Sequence, residues 1–310
     1  MKVAILDDYQ NVALAMADWS AVARSAEIVV FNDHIAEPAA LVERLKPFDA
    51  LCVMRERTPL PRMVIEQLPR LKLIASTGPR NASIDAAAAQ ERGIRIAMTG
   101  YRSTPTVELT WALILASARR LVGEVVSVRQ GGWQTSIGRE LNGRTLGVLG
   151  LGHVGAEVAR LGRAFGMRVI AWSQNLTAEA ARTAGAEWVA KDALFHQSDV
   201  VTIHLVLSGR TRALIGAAEL ALMKPDAWLI NTSRGPLVDE AALIQALQSR
   251  ILGGAAVDVF DSEPPPADHP FRTLDNVLAT PHIGYVAEDL YRTFFGDAAA
   301  TIATWLSENP

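Results

Sequence analysis

A chain of 310 residues, half of them apolar, a fifth charged and with a formal net charge of −3, has the profile of a globular protein with room for two domains, each able to bury its own core. That charge gives no electrostatic reason to expect a nucleic acid or an anionic membrane as partner. The single cysteine, Cys52, excludes an internal disulfide framework and a cysteine-based zinc site, and its place in the apolar run DALCVM reads as a buried structural thiol.

From the amino end, MKVAILDD reaches two aspartates after four apolar residues, too short a core for a signal peptide. KVAIL, EIVVF, DALCVM, LKLIAS and IRIAM follow one another through the first hundred residues. They are too short and too continuously apolar for amphipathic helices, and they predict strands covered on both faces. Helical stretches such as PAALVERLK, PRMVIEQL and SIDAAAAQERG lie between them, the last ending on Gly93. Repeated βα units imply a parallel sheet. After the polar break TGYRSTP comes a long run, TVELTWALILASARRL. Its wide apolar face over Thr106–Leu121 suggests packing on more than one surface, including that of a homodimer. Its core, LTWALILASA, is the nearest approach to a membrane span and falls well short of the roughly 18 residues needed. The chain reads as cytoplasmic.

A glycine-rich stretch, GGWQTSIGRELNG, then opens a second alternating series. TLGVLG, MRVIAW, DVVTIHL, DAWLINT, GGAAVDVF and NVLATP predict strands, and a final helix is predicted over about Val286–Leu306. At the first turn of this series stands Gly150-x-Gly152-x-x-Gly155. The order has a physical reason: Gly150 permits a tight turn, Gly152 lets the backbone approach a pyrophosphate, and Gly155 lets helix and strand pack closely. The helix amino terminus then meets the anion with unpaired N–H groups. The acid usual about twenty residues on is missing; Ser173 stands at the end of the next strand, followed by Gln174 and Asn175. With no carboxylate to hold a ribose 2′-hydroxyl or repel a 2′-phosphate, the cofactor is expected to be NAD or NADP, with NADP slightly favoured.

Ligands of open α/β sheets bind beyond the carboxyl ends of the strands. The second series delivers Arg234, Asp258 with Glu263, and His282 to such ends. Each alone has a plainer reading, as a surface arginine, a solvated loop acid or a packed histidine. Together, beside a dinucleotide loop, they offer what carbonyl reduction needs: a guanidinium to clamp a carboxylate, an imidazole to supply a proton, and a carboxylate to orient it.

The stretches LGLGHVG, NTSRGPLVDEAALIQAL, AAVDVFDSEP and TPHIG, in this order and spacing, resemble the D-isomer-specific 2-hydroxyacid dehydrogenase family over nearly the whole chain. The resemblance implies two doubly wound parallel-sheet α/β domains, flavodoxin-like and Rossmann, around a cleft that holds the active site. The substrate domain would comprise residues 1–99 and 285–310, and the dinucleotide domain residues 100–284. It implies that Arg234 binds a 2-oxo acid, Glu263 pairs with His282, and His282 is the acid/base in reversible hydride transfer. His153 and Val154 would lie over the pyrophosphate, Thr232 in the cofactor site and Asp258 at the nicotinamide carboxamide. STGPRNASID resembles the family loop whose backbone amides hold the substrate carboxylate, which would place Thr77 and Gly78 near the substrate. The partners implied are a small 2-oxo or 2-hydroxy acid and a second copy of the chain. The same scaffold also serves as a nicotinamide-sensing co-repressor, and phosphoglycerate dehydrogenase is an enzyme variant of it; the complete Arg/Glu/His set favours catalysis. Pro79-Arg80 replaces a second glycine, and Val206 stands where proline is usual. His204 is open between lining the cofactor site and packing. Arg55, Arg57 and Arg80 are open between recognising a second anionic group and lying solvated on the surface.

Overall fold

The structure, a computed structural model, describes residues 1–309. The chain divides into two compact units, Met1–Arg102 with the segment from Val286 onward, and Ser103–Tyr285.

The first unit is built on a parallel five-stranded sheet of order β2-β1-β3-β4-β5. Its strands are β1 (Lys2–Ile5), β2 (Glu27–Val30), β3 (Ala50–Val53), β4 (Leu73–Ser76) and β5 (Arg95–Met98). Every residue of β3 and β4 is buried, as the unbroken apolar runs require when helices cover both faces. Cys52 lies inside β3, where burial pushes its thiol up to about 12; it is a packed, unreactive group. The last helix, Glu288–Glu308, returns the chain to this unit and buries Leu290, Phe294, Phe295 and Ile302. The order is that of a flavodoxin-like sheet. Two single-turn helices, Ala13–Met16 and Ser20–Ala23, were not expected, because four residues are too few to show a period.

The second unit carries a parallel seven-stranded sheet of order β12-β11-β10-β9-β6-β7-β8. The strands are β6 (Thr145–Leu149), β7 (Arg168–Trp172), β8 (Glu187–Trp188), β9 (Val200–Ile203), β10 (Trp228–Asn231), β11 (Gly254–Val257) and β12 (Val277–Ala279). Counted from β6 this is the doubly wound dinucleotide order, with its switch point between β6 and β9. The edge strand β8 has only two residues and both are exposed, so no pattern announced it.

The helix Thr104–Ala118 corrects one expectation. Its apolar face buries Val107, Trp111, Leu113 and Ile114 inside the second unit, so its width serves the unit's own core. Of its large apolar residues Leu115 stays exposed, and more open apolar surface follows on the helix Leu121–Arg129, which buries no residue. Among the described residues no helix is long and apolar enough to cross a membrane.

Candidate active site

The switch point is shaped by its glycines. Gly150 follows β6 with φ +94°, and a Cβ there would lie 2.6 Å from the main-chain oxygen of His204. A Cβ on Gly155 would come within 1.9 Å of the Gly150 oxygen, so only glycine lets the helix His153–Ala164 start this close to the strand. Gly152 differs: nothing lies within 4 Å of its Cβ position. It faces open space at the amino cap of that helix, which is the cradle a pyrophosphate needs. His153 and Val154 form the helix's first turn, His153 exposed and Val154 half-buried. Trp172 accepts from the Gly150 N–H at 2.9 Å, so Ser173, one residue on, stands beside the glycine turn. The residues present fit a dinucleotide.

At the other half of the same sheet edge, three neighbouring strands end in the candidate catalytic residues. Asn231 of β10 pairs with Val257 of β11, and Val257 with Ala279 of β12. Arg234 and His282 each lie three residues past that register line, two strand spacings apart, on the order of 10 Å. Glu263 comes from the connection after β11 and closes the interval. Its Oε2 meets His282 Nδ1 at 2.5 Å, and its Oε1 accepts from the Phe260 N–H at 2.9 Å. Arg234 is brought in by a close approach: a Cβ on Gly235 would overlap the Phe260 carbonyl at 2.2 Å. The Asn231 side chain donates to the Arg234 carbonyl at 2.9 Å and accepts from the Ser233 N–H at 3.1 Å. The His282 ring packs edge-on to Tyr285, with centroids 5.3 Å apart. It keeps 21% of its side-chain surface open, and Glu263 keeps 34%.

Asp258 and Thr232 are both held by contacts within the second unit. Asp258 is wholly buried. Its carboxylate accepts from the Thr280 hydroxyl at 2.6 Å and from the Ile283 and Gly284 amides at 2.9 and 2.8 Å. Burial pushes this carboxyl above the usual carboxylate range, against the three donors, which favour the ionised form. It brackets His282 from both sides in sequence and so braces the loop that carries the imidazole. Thr232 is buried, and its hydroxyl lies 2.8 Å from that of Thr110. It therefore ties β10 to the helix Thr104–Ala118. The Thr106 hydroxyl of that helix donates to the Gly284 carbonyl at 3.0 Å. Sequence reading missed this bracing, since nothing local to Thr106 or Thr110 names partners more than a hundred residues away.

His204 is half-buried at the carboxyl end of β9. Loss of solvation pushes its imidazole down to about 3, Thr202 Oγ1 lies 2.9 Å from its Nε2, and its carbonyl abuts Gly150. From there it backs the glycine turn. A cavity of about 150 Å³ among Ser117, Trp228 and Ile230 lies at the amino ends of β9 and β10, the opposite edge of the sheet from this chemistry.

In the first unit two amides of the STGPRNASID loop are engaged within the unit. The Thr77 N–H donates to Val53 O at 3.0 Å and the Gly78 N–H to Thr99 Oγ1 at 2.7 Å, while Pro79 has no N–H to offer. Thr77 and Gly78 thus fasten the loop to β3 and to Thr99. Arg55 lies against this loop: its Nη1 is 1.8 Å from where a Cβ on Gly78 would be, and its guanidinium stands 5.4 Å from the Tyr101 ring centre. Arg57 donates to Asp7 O at 2.7 Å and to Tyr291 Oη at 3.2 Å, 4.5 Å over the Tyr9 ring. These two are braced rather than solvated; Arg80 is exposed.

Residues 111–284 match the family model described as "D-isomer specific 2-hydroxyacid dehydrogenase, NAD binding domain". A glyoxylate reductase of Aeropyrum pernix is 42% identical over 229 residues, covering 71% of this chain and 68% of that protein. A D-3-phosphoglycerate dehydrogenase of Methanocaldococcus jannaschii is 40% identical over 84% of this chain, which spans 49% of that longer protein. A phosphoglycerate oxidoreductase structure from Vibrio cholerae o395 superposes with a TM-score of 0.94 at 37% identity, covering 99% of each chain. With its glycine turn and sheet order already in place, the chain belongs to the D-isomer-specific 2-hydroxyacid dehydrogenase family, as an oxidoreductase that works on a CH–OH group with a nicotinamide dinucleotide.

Proposed function

We propose that the protein reduces a small 2-oxo acid reversibly to its D-2-hydroxy acid, with Arg234, Glu263 and His282 as the working side chains. The observation that carries this reading is the 2.5 Å contact between His282 Nδ1 and Glu263 Oε2. With Nδ1 engaged by a carboxylate, the imidazole is held in one orientation and Nε2 is left to exchange a proton with the substrate oxygen. Arg234 takes the substrate carboxylate in a two-pronged contact and draws charge off the neighbouring carbonyl. When bound, the dinucleotide supplies the hydride. Gly150, Gly152, Gly155, His153 and Val154 would hold its pyrophosphate, and Ser173 its adenosine ribose.

NADP is the coenzyme we favour, because the turn after β7 offers Ser173, Gln174 and Asn175 and no carboxylate. The name of the Aeropyrum relative makes glyoxylate the first substrate to try. The name of the Methanocaldococcus relative makes a phosphorylated acid the next. The exposed apolar helix Leu121–Arg129 supports a homodimer formed through the second unit.

The test is a panel of 2-oxo acids, short, bulky and phosphorylated, assayed with NADH and NADPH. We expect the highest kcat/KM for a short acid with NADPH. Arg234→Ala should lower kcat/KM on the order of 10²-fold, the loss expected when a charged anchor of a bound carboxylate is removed, and should leave dinucleotide affinity alone. No turnover of any 2-oxo acid with either coenzyme would end the reading. A hundredfold preference for NADH would end its NADP part only.

A further inference from the structure

The turn after β7 lacks an acid, but NADP recognition also needs a cation, and none lies nearby in sequence. The fold supplies one from elsewhere. Ser173 O accepts from the Leu176 N–H at 3.2 Å, so residues 173–176 form a tight turn with Gln174 and Asn175 exposed at its tip. Gln174 Nε2 donates to the carbonyl of Arg210 at 3.1 Å. Arg210 belongs to the loop that follows β9. Since β7 and β9 are the two neighbours of β6, this single hydrogen bond joins the loops on either side of the glycine turn.

The charge at this junction is one-sided. Residues 172–178 and 204–213 contain no carboxylate; the first acid after β7 is Glu179, already on the helix Ala178–Thr183. Arg210 is exposed, and among the described residues its guanidinium makes no hydrogen bond or ion pair. Arg212, two residues on, feels Asp261, which lies on the side of Glu263 and the catalytic strands. Of the two guanidinium groups, Arg210 is the one whose backbone is fastened to the adenosine side.

We infer that Arg210, tied to the Ser173–Leu176 turn through Gln174, is the residue that recognises the 2′-phosphate of NADP, with the Ser173 hydroxyl and the Asn175 amide as further donors. A dianionic phosphate is matched by a planar guanidinium fork, and an unpaired one gives up no protein partner on binding. This inference rests on the reading that NADP is the preferred coenzyme, and it adds which side chain makes the preference.

Calorimetric titration of the whole protein with 2′,5′-ADP and with 5′-AMP, which differ by the 2′-phosphate alone, tests it without reference to turnover. The wild type should bind 2′,5′-ADP at least about tenfold more tightly, with the advantage shrinking as salt is raised. Arg210→Ala should remove most of that advantage and leave 5′-AMP affinity unchanged, whereas Arg212→Ala should retain it. If the wild type discriminates and Arg210→Ala discriminates equally well, Arg210 is excluded while the NADP preference stands. If the wild type binds the two ligands equally, the NADP preference itself fails, and Arg210 loses its role with it.

Discussion

His282 holds a backbone conformation that a non-glycine residue adopts at a cost: its φ is +53°, in the left-handed region, worth about 1–3 kcal/mol. Asp258 supplies the compensation by taking the amides of the two following residues and the hydroxyl of Thr280. The strain therefore sits where the loop has been over-determined, and the residue it presents is an imidazole paired with Glu263. His282→Asn should lower kcat by about 10²–10⁴-fold, the span for loss of a general acid/base. Asparagine tolerates the left-handed region, so dinucleotide affinity and thermal stability should stay near wild type. Glu263→Gln keeps a hydrogen-bonding partner for Nδ1 but removes its charge, and should cost less in kcat than His282→Asn. Steady-state kinetics with equilibrium dinucleotide binding reads both; a His282→Asn enzyme with wild-type kcat removes the imidazole from the chemistry. The placement of these residues was legible in the sequence because each follows an apolar strand at the edge where ligands bind. The hydrogen-bond partners of Thr77, Gly78 and Thr232 were not legible. Whether an amide or hydroxyl is free depends on distant partners, Val53, Thr99 and Thr110, which local sequence does not reveal.

Among elements, the strands were legible because parallel sheets bury both faces and leave continuous apolar runs. The helix Thr104–Ala118 was legible as a helix but not in its role, since a wide apolar face looks the same whether its own unit or a second chain covers it. In the structure it packs on the sheet and holds the loops after β10 and β12 through Thr110 and Thr106. The end of β9 offers a test of how tightly the glycine turn is backed. His204 is pushed from 6.5 down to about 3 by burial, so between those values the unfolded chain binds a proton that the folded chain refuses. Its contribution to stability is complete above pH 6.5 and is lost as the pH falls toward 3, at up to about 1.4 kcal/mol per pH unit. Denaturant unfolding at pH 7 and pH 5 should show the wild type losing about 1–2 kcal/mol more than His204→Gln, which has no proton to gain. Equal losses in the two proteins would mean that the ring is solvated when folded.

At the scale of the whole molecule, the two units divide between Arg102 and Ser103, inside the polar break TGYRSTP, and the glycine-rich stretch GGWQTSIGRELNG lies within the second unit. The surface that completes the second unit was harder to see. The helix Leu121–Arg129 has nine residues and buries none of them. A helix this short is marginal in water without tertiary contacts, yet its Leu121, Val122, Val125, Val126 and Val128 are all exposed, and beyond it Trp133 is 74% and Ile137 93% exposed. Contiguous apolar surface of this kind marks an interface, and Leu121, Val125 and Val128 share one face at helical spacing. A second copy, presenting the same patch about a two-fold axis, would cover both helices at once. Light scattering at micromolar concentration should give twice the 33.4 kDa chain mass. Val125→Asp combined with Val128→Asp should give the single-chain mass, with unchanged circular dichroism in the sheet-dominated region, because neither residue supports the core of its own unit. A wild type that stays at one chain mass across all concentrations would leave this helix without the cover its composition demands, and the homodimer would have to be abandoned.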